Sequence, residues 1–440
     1  FLVYYRCTVG SEYEKDGGEV YMESFEKEKE RVITVGLHTG SRDAVSDTTD
    51  ESMRELEELV KTAGGEVVCE TVQNRPSPDA GTYIGTGKLE EIKEAVSSLG
   101  AELVVFDDEL SPVQLRNVSE YLGVRVLDRS MLILDIFAMR ARSGEGKLQV
   151  ELAQLKYSLP RLRGMGTELS RTGGGIGTRG PGETKLETDR RHIRARITAL
   201  ESEIKEIKKH RGLLRERRKK DGVITCALVG YTNAGKSTLL SRLTDAGVLA
   251  ENKLFATLDT TSRAITLYDN RRIIMIDTVG FIRKLPHYLI EAFKSTLEEA
   301  AEADLLIHVI DAAGEETENK IEVVERVLGE IGAGGKPIIN AYNKCDAAGE
   351  FVPPATDVTE NVFISAKTGM GIDKLIDAVA RTAPGGKSEC RLLVPYSDGG
   401  VLNELHTNEK VLSEEYTGSG IEITVLLDAA ARGRLKKYSV

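Results

Sequence analysis

Between residues 32 and 128, short apolar runs alternate with helical stripes. Residues 32–37, 67–72, 103–107 and 124–127 read as strands. Between them, Met53, Leu56, Leu59 and Val60 mark one face of a helix over 52–63, and Leu89, Ile92, Val96 and Leu99 mark another over 88–99. Ser111-Pro112 opens a third helix, with serine at the cap and proline in the first turn. Repeated strand–helix units predict a small parallel sheet covered by helices. Ahead of it, 2–9 and 19–25 form a candidate hairpin across Asp16-Gly17-Gly18.

The period then changes. Leu148, Leu152, Leu155, Leu159 and Leu162 keep 4-3-4-3 spacing. Ile193, Ile197, Leu200, Ile204, Ile207 and Leu214 continue it beyond a glycine stretch, with Arg211 at one seam position. Two matching seams predict an antiparallel helical hairpin of coiled-coil type, its tip the 19-residue loop 164–182. Dense apolar strands return at 223–229, 272–277, 337–342 and 362–364. Residues 386–440 read as a strand, a helix, two strands and a last helix from Asp428, a small α+β unit; Gly385-Gly386 is the expected hinge. The expected architecture is α/β: an N-terminal parallel domain over 1–128, the hairpin over 129–221, a nucleotide-binding domain over 222–385 and the appendage over 386–440. A length of 440 residues by itself points to about three domains.

The third segment carries the chemistry. Gly230, Tyr231, Thr232, Asn233, Ala234, Gly235, Lys236, Ser237 and Thr238 satisfy G-x-x-x-x-G-K-[S/T] between a strand and a helical pattern. Glycine lets backbone N–H groups converge on a phosphate chain, and the helix start adds its dipole. Lys236 supplies a charge at the β/γ-phosphates, and Ser237 a hydroxyl for Mg²⁺. Asp277, Thr278, Val279 and Gly280 form D-x-x-G at a strand end. There Asp277 serves the outer Mg²⁺ shell and the Gly280 N–H meets the γ-phosphate. Asn343, Lys344, Cys345 and Asp346 form N-K-x-D, whose carboxylate accepts from guanine N1 and N2 and selects GTP over ATP. Ser365, Ala366 and Lys367 close over the base. Phe255, Ala256, Thr257, Leu258 and Asp259 lie in the expected first switch, where Thr257, Thr260 and Thr261 all compete for Mg²⁺. Phe281 stands where many GTPases place a water-orienting glutamine, which predicts slow intrinsic hydrolysis. Gly81 to Lys88 imitates a phosphate loop, but its first glycine is one place early and Leu89 replaces the hydroxyl, so it reads as structural. Asp107-Asp108-Glu109 reads as a solvated loop without chemistry.

Composition changes the picture in two places. Net charge is −11, yet residues 161–220 hold 18 Lys and Arg against 8 Asp and Glu, a local +10. A basic segment on an acidic body points to a localised anionic partner. Arg171, Arg179, Lys185, Arg215, Arg217 and Arg218 are the candidate RNA contacts, and the loop's lack of aromatics favours phosphate over base recognition. The alternative is a regulatory GTPase whose basic hairpin docks a protein. Five scattered cysteines without C-x-x-C fit reduced thiols rather than disulfides or zinc. No apolar stretch reaches the roughly 18 residues of a membrane span. No signal peptide is read after Phe1, and the absent Met is expected of a processed, trimmed or incomplete start.

Phe255-Ala-Thr-Leu-Asp259 beside Gly-Tyr-Thr-Asn-Ala-Gly-Lys-Ser-Thr, Asp277-Thr-Val-Gly-Phe-Ile-Arg-Lys-Leu-Pro286, and a loop ending Gly180-Pro-Gly-Glu-Thr-Lys-Leu-Glu-Thr-Asp-Arg-Arg191 together resemble the HflX family of translation-factor-class GTPases; Asp79 to Lys88 matches as well. The resemblance covers residues 32–385. It implies a cytosolic, GTP-hydrolysing protein that binds the 50S ribosomal subunit and its rRNA and dissociates ribosomes under stress, with the glycine-rich loop reaching toward the peptidyl-transferase region; apart from the resemblance, a monomer is expected. By motif position it makes Thr257 the Mg²⁺ partner of Ser237. In related potassium-activated GTPases an asparagine at the place of Asn233 ligates K⁺, which makes Asn233 a candidate K⁺ ligand.

Overall fold

The structure is a computed structural model. It describes residues 29–40, 49–162, 181–220, 223–244, 254–255, 260–268, 271–286, 289, 294–314, 316–349, 353–354, 360–384, 388–427 and 429–439. The expected 2–25 hairpin, the 164–180 part of the tip and the 385–386 hinge lie outside them.

Four strands, β1 (Glu30–His38), β2 (Gly65–Asn74), β3 (Leu103–Phe106) and β4 (Arg125–Asp128), form a parallel sheet in the order β2-β1-β3-β4. Side chains alternate across it, as the period of two demands. Val32, Leu103 and Val105 face α1 (Thr49–Ala63) and α4 (Arg129–Arg140). Ile33, Val35, Val104 and Phe106 face α2 (Thr86–Leu99) and α3 (Pro112–Leu122). Helix α3 begins at the expected cap, where Ser111 and Gln114 exchange hydrogen bonds in a capping box and Pro112 takes the first turn.

Helix α4 covers this sheet rather than beginning the hairpin. The hairpin is built from α5 (Gly144–Arg161) and α6 (Pro181–Lys220). Helix α5 has two working faces. Val150, Ala153 and Tyr157 enter the N-terminal core, while Leu148 and Leu155 remain half-buried on the side of the leucine stripe. Arg196 meets Glu151 at 2.7 Å and Lys156 meets Glu201 at 2.8 Å between the helices. Leu200 is buried, but Leu214 is exposed, because α6 outruns its 18-residue partner.

The next layer is a six-stranded sheet of β5 (Ile224–Val229), β6 (Thr261–Thr266), β7 (Arg272–Asp277), β8 (Leu305–Asp311), β9 (Ile338–Asn343) and β10 (Glu360–Phe363), in the order β10-β9-β8-β5-β7-β6 with only β6 antiparallel. Helices α7 (Lys236–Leu243), α8 (Lys294–Glu302), α9 (Thr317–Glu330) and α10 (Ile372–Thr382) flank it. A C-terminal antiparallel sheet, β11 (Ser388–Val394), β12 (Lys410–Thr417) and β13 (Gly420–Leu427), carries α11 (Gly399–Asn408) and α12 (Ala429–Arg434).

The cores of the first and third layers are continuous. Phe255, Val279, Ile282 and Leu289, all from or beside the expected switches, pack into the α1–α4 face of the N-terminal sheet. Phe255 meets Phe137 edge-on, with ring centroids 4.7 Å apart. Polar groups follow the same route, and they correct the reading of Asp107 as a solvated loop residue. Asp107 is buried at the end of β3, where Arg129 Nη1 donates to it at 2.7 Å and Ser52 Oγ at 2.6 Å. Arg129, itself buried, also pairs with Glu55. Lys284 bridges Asp107 and Asp108, and Arg283 pairs with Glu51 and Glu316 at 2.8 Å each. The carboxyl end of a parallel sheet is the usual ligand crevice of such folds; here the chain's own Lys284 enters it.

Arg129→Ala leaves Asp107 and Glu55 buried without their shared cation. It should destabilise the protein by about 3–5 kcal/mol, read as a lower urea midpoint. Lys284→Ala should cost less, because Asp107 keeps Arg129 and Ser52. Equal losses in the two variants would contradict this arrangement.

Candidate functional site

The site lies at the carboxyl ends of β5, β7 and β9. Strand β5 delivers the 230–238 loop to the start of α7. Glycine is required by space as well as conformation. Gly230 has φ +150°, and a Cβ there would lie 2.3 Å from the Val309 carbonyl oxygen. Gly235 has φ +95°, and its Cβ would lie 2.3 Å from Asn343 Nδ2.

Lys236 folds back over its own loop. Its buried Nζ donates to the carbonyls of Gly230 at 3.0 Å and Tyr231 at 2.8 Å. An ammonium has three donors, so one remains for phosphate. Burial pulls its pKa down to about 8, against the opposing pull of Asp277. His308 on β8 is buried as well; desolvation and the Lys236 charge lower it to about 3, so it is neutral.

The residues expected to hold Mg²⁺ are side by side. Ser237 Oγ donates to Asp277 Oδ2 at 2.6 Å. A hydroxyl and a carboxylate meeting at a phosphate loop are hard oxygen donors of the kind Mg²⁺ takes. Thr257 lies outside the described residues, as do Ala256, Leu258 and Asp259; Phe255 is described and buried in the N-terminal core. Thr278 turns away from the loop, its hydroxyl donating to the Leu228 carbonyl.

The base-site residues converge from two loops. Asn343 Nδ2 donates to the Ala234 carbonyl at 2.8 Å and Asn343 Oδ1 accepts from Ala366 N at 2.9 Å, so it ties the phosphate loop to S-A-K. Asp346 accepts from Ser365 Oγ at 2.6 Å, which holds its carboxyl below the usual range and its acceptor face fixed. Lys344 pairs with Asp311 at 2.7 Å. Phe281 is buried among Ala227, Val229 and Leu297, with no polar atom to offer water.

The sequence reading did not find the joint between this loop and the first domain. Tyr231 Oη accepts from the Arg283 backbone N–H at 2.9 Å and donates to Glu55. Phe281 N donates to the Gly230 carbonyl at 3.1 Å and Thr232 N to the Phe281 carbonyl at 2.7 Å, zipping D-x-x-G to the phosphate loop. Six described non-glycine residues have positive φ: Tyr83, Asn233, Phe255, Lys284, Glu316 and Lys344. They lie around the nucleotide motifs or the joint to the first domain, where backbone strain commonly marks function. Pairings across tens to hundreds of residues leave no local signal. The one available cue was a run of two cations, Arg283-Lys284, directly after an apolar switch.

The basic hairpin is placed in part. Arg171, Arg179 and the side chain of Lys185 lie outside the described residues. Arg217 is exposed and Arg218 half-buried. Arg215 departs from expectation: it turns onto Glu299 of α8 at 2.9 Å, which removes it from the free cationic face. The decoy at 81–88 is structural, closed by Asp79 accepting from Gly81 N and Thr82 N. Cys69, Cys226, Cys345 and Cys390 are free thiols. No helix among the described residues is long and apolar enough to cross a membrane.

Three family descriptions match in succession: GTP-binding GTPase N-terminal over residues 50–138, GTP-binding GTPase Middle Region over 140–218 and 50S ribosome-binding GTPase over 225–344. The GTPase HflX of Caldanaerobacter subterraneus subsp. tengcongensis is 49% identical over 419 residues, 95% of this chain and 96% of its own. That of Lacrimispora saccharolytica is 50% identical over 395 residues, covering 89% and 92%. That of Escherichia coli K12 is 46% identical over 368 residues, covering 83% and 86%. A solved GTP-binding protein from Sulfolobus solfataricus, in complex with GDP, is 28% identical, covers 80% of this chain and 98% of its own, and has a TM-score of 0.43.

Asp346→Asn replaces a carboxylate acceptor by an amide donor at the position expected to face guanine N1 and N2. Preference should move from GTP toward XTP in competition binding. Unchanged preference would remove Asp346 from the base site.

Proposed function

The chain belongs to the HflX family of GTPases, which bind and hydrolyse GTP, and on that premise we propose that it binds the 50S ribosomal subunit and splits or rescues ribosomes under stress. The observation that carries this reading is the free cationic face of α6. Arg191, Arg194, Lys205, Lys209, Arg217 and Lys220 are exposed along one 40-residue helix. Such a face suits rRNA phosphates, and its binding would weaken steeply with salt. Arg171, Arg179 and Lys185 extend the charge into the glycine-rich tip, where arginine can grip phosphate with two donors. The expected setting is the cytoplasm and the expected form a monomer.

In this reading the 230–238 loop cradles the phosphates, 277–280 faces the γ-phosphate, and 343–346 with 365–367 hold guanine. Ser237 and Thr257 ligate Mg²⁺ with Asp277 behind them; the bound ion supplies positive charge against the phosphates. Asn233, exposed and at φ +61°, is free to serve as the K⁺ ligand. The switch that follows Gly280 is held by Glu51, Asp107 and Asp108 of the first domain. A γ-phosphate that draws on that switch therefore also acts on the domain that carries the hairpin.

A second reading, a protein dock on the hairpin, is favoured by Leu213 and Leu214, which are 56% and 42% exposed beside Arg217. Sedimentation separates the two. In the ribosome reading the protein co-pellets with 50S particles in a non-hydrolysable GTP analogue and is released by salt; no co-sedimentation in either nucleotide state would favour the dock.

Deletion of residues 171–180 should leave GTP affinity and intrinsic turnover near the parent values. It should strongly reduce 70S splitting in sucrose gradients, with partial loss of 50S binding. Splitting at the parent rate would make the loop a connector. Neutralising Arg217 and Arg218 should weaken 50S binding and flatten its salt dependence; Arg215→Gln should act instead on stability, through Glu299. Turnover should be faster in K⁺ than in Na⁺, and Asn233→Ala should abolish the difference. Equal rates in both buffers would exclude the K⁺ assignment.

A further inference from the structure

Hydrolysis needs a group that holds the attacking water, and the usual position does not provide one. Phe281 is 1% exposed and faces the sheet core. Thr232 stands on the opposite wall, with its Cα and methyl group toward Gly280. A Cβ built on Gly280 would lie 2.8 Å from Thr232 Cα, 2.9 Å from Thr232 Cγ2 and 3.0 Å from Lys236 Nζ. The ammonium of a phosphate-loop lysine meets the β/γ-phosphates. The point where Gly280, Thr232 and Lys236 converge therefore marks the γ-phosphate end of the site. Thr232 is held there by its own backbone, through Thr232 N donating to the Phe281 carbonyl.

Thr232 is 6% exposed, and its Oγ1 is buried without a hydrogen-bond partner in the protein. An unsatisfied buried hydroxyl costs about 1–3 kcal/mol. Valine would fill the same shape without that cost. Thr232 also borders a cleft of about 280 Å³, shared with Asn233, His308 and Lys320, on the side of the loop away from Gly280 and Lys236, which do not line it.

We propose that the Thr232 hydroxyl is a catalytic residue of GTP hydrolysis, hydrogen-bonding the attacking water at the γ-phosphate. A hydroxyl has one donor and two acceptor sites, enough to accept a hydrogen bond from the water and so fix its orientation. The water oxygen bonds to the γ-phosphorus as the bond from that phosphorus to the bridging oxygen breaks. The electron pair leaves with GDP, and the water's proton ends on the released phosphate. Thr232 keeps its own proton, and no oxidation state changes.

This rests on residues 230–238 being the phosphate loop, and the test keeps the two apart. Thr232→Val, Thr232→Ala, Thr232→Ser and Lys236→Ala are made in the full chain. Single-turnover GTP hydrolysis and GDP affinity are measured for each. Val and Ala should each lower turnover by about 10–100-fold while GDP affinity stays within about threefold. Ser, which restores the hydroxyl without the methyl, should exceed Val by about tenfold or more. Lys236→Ala should lose affinity for both nucleotides; if it does not, the phosphate-loop reading fails. With Lys236→Ala impaired, Val and Ala at the parent rate overturn the role of Thr232 alone. So does Ser falling as far as Val, which would mean that the methyl matters, or GDP affinity falling in step with turnover, which marks a structural part. Should valine's bulk disturb the loop, alanine carries the same comparison.

Discussion

A buried guanidinium organises the joint on which the nucleotide site rests. Arg129 sits between Asp107 and Glu55 with almost no exposure. Taking three charges out of water costs several kcal/mol per ion, and only close pairing offsets it. Burial alone would favour protonation of Asp107, yet Arg129 and Lys284 outweigh it and its carboxyl stays below the usual range. Glu55 behaves differently: burial wins over Arg129 and lifts it above the usual range. Asp107 is thus the firmer anion, and it is the one that receives Lys284.

That pairing gives the first domain a direct hold on the catalytic layer. Arg283 and Lys284 follow Gly280 by three and four residues, so the segment after Gly280 cannot shift without disturbing Glu51 or Asp107. The phosphate loop is held to the same body, because Tyr231 donates to Glu55 and accepts from Arg283. Apolar packing runs parallel to these contacts through Phe255, Val279, Ile282 and Leu289. The nucleotide motifs and the first domain are therefore joined by contiguous contacts.

The hairpin is set by the same economy of faces. Helix α5 buries Val150, Ala153 and Tyr157 in the first domain, leaving its leucine stripe toward α6. Helix α6 spends Lys208, Arg211 and Arg215 on Glu298, Glu145 and Glu299. Arg191, Arg194, Lys205, Lys209, Arg217 and Lys220 face solvent. A count of charge cannot make that division, because it is decided by which acidic residues fold nearby.

Much of the fold was legible because its signals are local. Short apolar runs marked β1 to β4, Ser111-Pro112 marked the start of α3, and glycine at 230 and 235 marked a loop that tolerates no Cβ. Strands β6 and β8 and helices α4, α8, α9 and α10 were not read, although β8 is a dense apolar run and α8, α9 and α10 each carry an apolar face. The sequence by itself determined the nucleotide chemistry, because each motif packs its donors and acceptors into three to nine consecutive residues. Only the tertiary structure decided that Asp107 is a buried anchor, that Arg215 is engaged, that Phe281 points into the core and that Thr232 Oγ1 is buried without a partner. Those facts depend on groups separated by tens to hundreds of residues. Burial and long-range pairing, not residue type, fix what such side chains do.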